Sequence, residues 1–163
     1  MTEAGAKAVL KGRVVATGNP PGTQMYTPLK MPSVTVGSAK GMGTLSFNVK
    51  TKTLQRIWLD FSRHDKDSSA DISQDETVTK ITTYGYISQS LLEKYGKPVN
   101  ETGYCPTQDE LTEYFVRNPP VTIKCTRLWR EAHQTIRMEL SVPGKSLFLE
   151  IEYKSASGAG SEL

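Results

Sequence analysis

The 163-residue chain has no long apolar run, little excess charge, and few cysteines or histidines. No stretch approaches the roughly 20 apolar residues that a membrane-crossing helix needs, and Met1 to Lys7 has no hydrophobic signal core. The 20 basic residues are interspersed with 17 acidic ones, leaving a net charge of +3. That is not the concentrated basic field of a nucleic-acid binder, so no nucleic-acid partner is expected. The only histidines are His64 and His133, and the only cysteines are Cys105 and Cys125. Neither cysteine belongs to a Cys-x-x-Cys pair, which excludes a zinc ribbon and a thioredoxin-type motif. Gly-x-Ser-x-Gly, His-Glu-x-x-His, Walker and dinucleotide-glycine patterns are absent as well. Gly37-x-x-x-Gly41-x-Gly43 is glycine-rich but lacks the lysine and helix of a phosphate cradle.

What is present suits a soluble α+β protein. A hydrophobic content of 37% over 163 residues is enough for one real core. Residues 1–154 are therefore expected to form a single domain, and the small, polar stretch 155–163 a flexible tail or an appended remnant. Cys105 and Cys125 lie 20 positions apart. A disulfide between them would close a loop worth about 3 kcal/mol in the chain-entropy model and would imply an oxidising compartment, periplasmic or extracellular. The alternative is a pair of buried thiols in a reducing compartment. A Cys/His nucleophile pair is formally open, but each cysteine is better explained by the other, and no catalytic residue is assigned.

In chain order, the stretch from Val9 to Ala16 is rich in branched residues and reads as a strand that Gly18-Asn19-Pro20-Pro21-Gly22 breaks. From Thr23 to Gly43, prolines and glycines recur without a sustained period. This predicts a long loop excursion over 23–43, with at most a short strand at Val34 to Val36. Leu45, Phe47 and Val49, then Ile57, Leu59 and Phe61, alternate on either side of a Thr51-Lys52-Thr53 turn, which predicts a hairpin. Ser73-x-x-Glu76 is a capping box and Gly96 with Pro98 a helix stop. Between them Val78, Ile81, Tyr84, Ile87, Leu91 and Tyr95 form an apolar stripe. The β-branched run from Thr77 to Thr83 leaves helix and strand both open for the first half. A second capping box, Thr107-x-x-Glu110, starts a short helix that Asn118-Pro119-Pro120 ends. Three strands follow, over 121–130, 134–142 and 146–154. The expected fold is an antiparallel sheet with one long and one short helix packed on one face.

Three stretches carry candidate sites. Asp65 to Glu76 resembles the EF-hand calcium loop, whose pattern places oxygen ligands for a hard cation; the resemblance implies Asp65, Asp67, Ser69 and Glu76 as side-chain ligands, with Asp71 offering its carbonyl. Ala70 stands where that family has glycine, and no second hand is present. An acidic, solvated loop whose last residues cap a helix explains the same residues. Trp58 lies opposite Ile57, Leu59 and Phe61, where alternation exposes it beside Arg56 as an interface anchor. With Met25 and Tyr26 of the 23–43 stretch it makes the candidate protein-binding surface. Asn100-Glu101-Thr102 matches a glycosylation acceptor.

Leu92-Glu93-Lys94-Tyr95-Gly96-Lys97-Pro98, followed by strands that end in Ile151-Glu152-Tyr153, resembles small exported bacterial domains with a helix ending in Lys-Tyr-Gly-x-Pro before antiparallel strands. The resemblance covers residues 73–154 and implies periplasmic lipoproteins, inhibitors or immunity-type binders. The expectation is a non-catalytic exported protein that binds another protein, with no membrane span and a lipid anchor conceivable in its precursor. A calcium-binding module at 65–76 is the alternative, and a hydrolase assembled from scattered residues comes third.

Overall fold

The computed structural model describes residues 1–10, 15–16, 26–36, 39–62, 74–117, 121–144 and 146–156. Its elements in chain order are α1 (Glu3–Leu10), β1 (Val15–Ala16), β2 (Tyr26–Val36), β3 (Ala39–Asn48), β4 (Leu54–Asp60), α2 (Gln74–Tyr95), β5 (Asn100–Gly103), α3 (Gln108–Arg117), β6 (Ile123–Glu131), β7 (Gln134–Val142) and β8 (Phe148–Ser155). The architecture is mixed α+β. Eight strands form one sheet in the order β1-β2-β3-β4-β8-β7-β6-β5, and all seven ladders are antiparallel. Two meanders, β2 to β4 and β6 to β8, are thus joined edge to edge by pairing of β4 with β8.

The alternating apolar residues carry this register. Leu29, Leu45, Ile57, Tyr153, Ile136 and Trp129 are successive cross-strand partners over six strands. Side chains alternate faces along a strand, so this whole row lies on one side of the sheet. Over β6 to β8 that side meets Ile81, Tyr84, Ile87 and Leu91 of α2 and Leu111 of α3 in the larger core. Over β2 and β3 it meets Ala6 of α1 in a smaller cluster with Leu29, Leu45 and Phe47. Full burial of one such side chain is worth about 1.5–3 kcal/mol, which makes this face the main source of stability.

The sequence signals for α2 resolve as one helix of 22 residues. Its β-branched first half is helical because Ile81, Tyr84 and Ile87 bury on the sheet, and burial outweighs a propensity cost of a few tenths of a kcal/mol per residue. Val78 is exposed, so the buried stripe begins at Ile81. The helix ends as its residues require: Gly96 has φ +70° and donates its N–H to the Leu92 carbonyl at 2.8 Å, the left-handed cap that glycine adopts without penalty. At α3 the capping box closes in both directions. The Thr107 N–H meets Glu110 Oε2 at 2.7 Å and the Glu110 N–H meets Thr107 Oγ1 at 3.2 Å. Those bonds, the Thr107 N–H foremost, hold the Glu110 carboxyl below its usual range.

Two expectations are corrected. The described part of the stretch 23–43 is no loop excursion: Tyr26 to Val36 is β2 and Ala39 onward belongs to β3. Gly41 and Gly43 are packing positions. A Cβ on Gly41 would lie 2.4 Å from the Asp60 carbonyl oxygen, a backbone atom that cannot give way, so the strand needs glycine there; one on Gly43 would lie 2.4 Å from Met31 Cε, which would have to swing aside. The prolines fit because, among the described residues, β2 pairs with β1 at Leu29 and Lys30 alone, and Pro32 falls in the irregularity between Met31 and Val34, where no ladder donor is needed. The expected strand from Val9 to Ala16 is likewise replaced. Val9 and Leu10 end α1, and among the described residues of that stretch Val15 and Ala16 are extended. Thr2 Oγ1 accepts the Gly5 N–H at 3.2 Å and Lys7 pairs with Glu3 at 2.7 Å, so local capping and an i,i+4 pair favour helix.

Cys105 and Cys125 form a disulfide with Cα atoms 4.7 Å apart, tying the segment before α3 to β6. The neighbouring Gly103 has φ +80°, and a Cβ there would lie 2.1 Å from the Lys124 carbonyl oxygen. Only glycine allows β5 to approach β6 in this way. Opening the disulfide by Cys105→Ala with Cys125→Ala is expected to lower the unfolding free energy by about 3 kcal/mol. Equilibrium urea denaturation checks this, and a loss below about 1 kcal/mol contradicts it. Burial, reinforced by Tyr95, pushes the Tyr153 phenol up to about 12. The folded chain thus keeps this proton where the unfolded chain has released it, and the associated stability is present below pH 10 and lost as pH rises from 10 to about 12. Tyr153→Phe should flatten that part of the stability–pH curve; the same alkaline slope in both proteins would refute it.

Candidate binding face

The other side of the same register is polar. Lys30, Thr44, Trp58, Glu152, Arg137, Leu128 and Asn100 are successive partners across seven strands. The next row brings Asp60, Glu150, Glu139, Thr126 and Thr102 into line. These residues alternate with the buried ones on every strand, so they occupy the opposite face from both core clusters.

At its centre the charges interlock across strands. Arg56 Nε pairs with Glu152 Oε1, and Arg137 reaches Glu152 at 3.5 Å and Glu139 at 3.3 Å. Trp58 Nε1 donates to Glu150 Oε2 at 3.3 Å. Both the Arg56–Glu152 and Trp58–Glu150 contacts are diagonal, joining a residue to the neighbour two positions from its direct partner, a reach open to long side chains. These six residues surround a shallow depression. The Arg56 and Arg137 side chains remain 47% and 44% accessible, so water competes for their guanidinium groups. Asp60 differs: it is buried and its Oδ1 accepts the Ser62 N–H at 2.7 Å, which marks it as a structural carboxylate at the end of β4.

The surface residues expected from sequence are brought together only in part. Arg56 and Trp58 share the centre of this face, with Trp58 half-buried against Glu150 rather than fully open. Tyr26 opens β2 opposite Asn48, and Met25 lies outside the described residues. Of the calcium-loop residues, Asp65, Asp67, Ser69 and Asp71 also lie outside them, while Glu76 sits in the first turn of α2 with Lys80 Nζ at 3.6 Å. Arg137, Glu139, Glu150 and Glu152 were not foreseen as a group. Their spacing at alternate positions was visible, but cross-strand partnership depends on register that one strand does not carry.

Comparison with protein-family models, with curated proteins and with solved structures finds no match. The disulfide fits an extracellular or periplasmic protein. Among the described residues no helix is long and apolar enough to cross a membrane.

Exposed ion pairs contribute little to folding, usually below 1 kcal/mol each. Glu152→Gln, which discharges the partner shared by Arg56 and Arg137, is therefore expected to cost less than about 1 kcal/mol of stability. Urea melts of the two proteins measure this, and a larger loss would mean that the charge network mainly holds the fold together.

Proposed function

We propose that the chain is a non-catalytic exported bacterial protein of the binding, inhibitor or immunity type, which acts by docking the polar face of its sheet against another protein. In this reading residues 1–154 are one domain, and the long α2, the short α3 and α1 all lie on the apolar face. The opposite face is then free to meet a partner. The observation that carries the reading is the composition of that face: a tryptophan and two arginines at the centre, ringed by carboxylates, on rigid strands. Tryptophan and arginine are the residues most enriched among binding hot spots, because they bury much area with few rotors and offer directed donors. Paired charges of both signs set partner choice and orientation by complementarity, while adding little to the fold itself. The disulfide supports export, and the helix end at Lys94-Tyr95-Gly96-Lys97-Pro98 supports the bacterial, periplasmic setting.

The partner is expected to present an apolar pocket for the Trp58 indole, with carboxylates facing Arg56 and Arg137. Affinity capture from the extracellular and periplasmic fractions of the source organism, followed by titration of the captured protein, tests this. Trp58→Ala should weaken the complex by about 2 kcal/mol, near thirtyfold, while Val116→Ala on the far end of α3 should leave it unchanged. Equal binding by both variants, or no stoichiometric partner for the unaltered chain, would remove the reading.

A further inference from the structure

The polar face sorts its charges by row. On one side of the row that holds Trp58, Glu152, Arg137 and Leu128, the successive partners Arg56, Lys154, Thr135 and Arg130 run across β4, β8, β7 and β6. The row on the other side carries Glu150 and Glu139 on β8 and β7. Residues two apart on a strand share a face, so all three rows point the same way. Arg56 is paired with Glu152. Lys154 and Arg130, by contrast, are exposed and make none of the ion pairs among the described residues.

A basic row and an acidic row on either side of a mixed one are complementary to themselves under one rotation. The axis is a two-fold in the plane of the face, at right angles to the strands and through the Trp58 row. It carries the basic row of one copy onto the acidic row of the other. Lys154 then faces Glu150 of the second copy, and Arg130 comes beside the second copy's Glu139, each contact being made twice by symmetry. On the axis Arg137 and Glu152 meet their own counterparts, but each is already neutralised by the other within its chain. A two-fold along the strands would instead lay the basic row on itself. Sheets stacked face to face lie about 10 Å apart, a gap that a lysine and a glutamate span together.

We propose that a second copy of the chain docks on this face, giving a two-fold dimer in which Lys154 pairs with Glu150 and Arg130 with Glu139 across the interface. Trp58 and Leu128, in the middle row, supply apolar area between the two ionic rows. Charge complementarity sets the orientation. Because exposed pairs add little affinity, the dissociation constant is expected on the order of 100 μM in low salt. The inference does not rest on a heterologous partner, since the purified chain alone forms the dimer. Two occupants compete for one face, so another protein binds the monomer.

Sedimentation equilibrium of the whole chain tests this. A reversible monomer–dimer equilibrium is expected, weakened about tenfold as salt rises from about 50 to about 500 mM. Lys154→Glu and Glu150→Lys should each weaken the dimer by more than about tenfold, because each sets like charges against one another at two symmetric contacts. An equimolar mixture of the two variants should associate within about threefold of the unaltered chain, since each supplies the charge that the other lacks. Lys97→Glu, the same charge change beside Gly96, whose carbonyl meets Trp129 on the apolar face, should leave the dimer unchanged. Circular dichroism melts establish that every variant is folded. A monomer at concentrations up to about 1 mM in low salt, a dimer indifferent to salt, no association in the mixture, or the same loss from Lys97→Glu would each overturn the proposal.

Discussion

The pairing of β4 with β8 is the constraint on which the rest of the molecule depends. It joins residues 92 positions apart in the chain, as in the Trp58–Glu150 contact, and it is the seam between two locally formed meanders. Its register sets Ile57 against Tyr153 and Leu59 against Ile151, which makes one apolar face continuous across the seam. A slip by one residue would turn Arg56 and Trp58 inward and Ile57 and Leu59 outward. The cost would be several buried side chains at once, so the hydrophobic effect specifies this register far more strongly than any polar contact.

The same register creates both surface features. Trp58 and Arg56 can reach Glu150 and Glu152 only because β8 lies beside β4 in this offset. A cleft bordered by Leu54, Ile57 and Tyr153 opens where the β4 bulge ends the ladder at Arg56 and Lys154. At the other end of the sheet the constraint is covalent. The disulfide holds the short, wholly exposed β5 and the start of α3 against β6. Arg127 crosses there on the apolar face, and its charge is met by Glu101 at 2.6 Å and Ser88 Oγ at 2.6 Å, which offsets the cost of placing a guanidinium among buried side chains.

Much of the second half was legible. The period-2 alternation of Ile136, Met138, Leu140 and Val142 and the turn at Pro143-Gly144 mark β7 and its end, because the face to be buried is written into each strand. The Thr107 and Glu110 box marks α3 for a similar reason: cap bonds join residues three apart, so sequence spacing is spatial spacing. The first half was less legible. Gly41 reads as a loop residue because its reason for being glycine is the Asp60 backbone, brought close by β4. β5 carried no hydrophobic signal at all, since its four residues are exposed and it is a strand through its backbone bonds to β6.

The sequence by itself determined part of the local grammar: the helix caps, the turns of the second half, and the buried faces of α2 and of β6 to β8. These depend on contacts within a few residues or on a period that every element repeats. Only the tertiary structure decided which strand edges meet, and therefore that Arg56, Trp58, Arg137, Glu139, Glu150 and Glu152 form one surface. The reason is physical: edge pairing is chosen by how much apolar area the assembled sheet buries, a sum over the whole chain that no single segment contains.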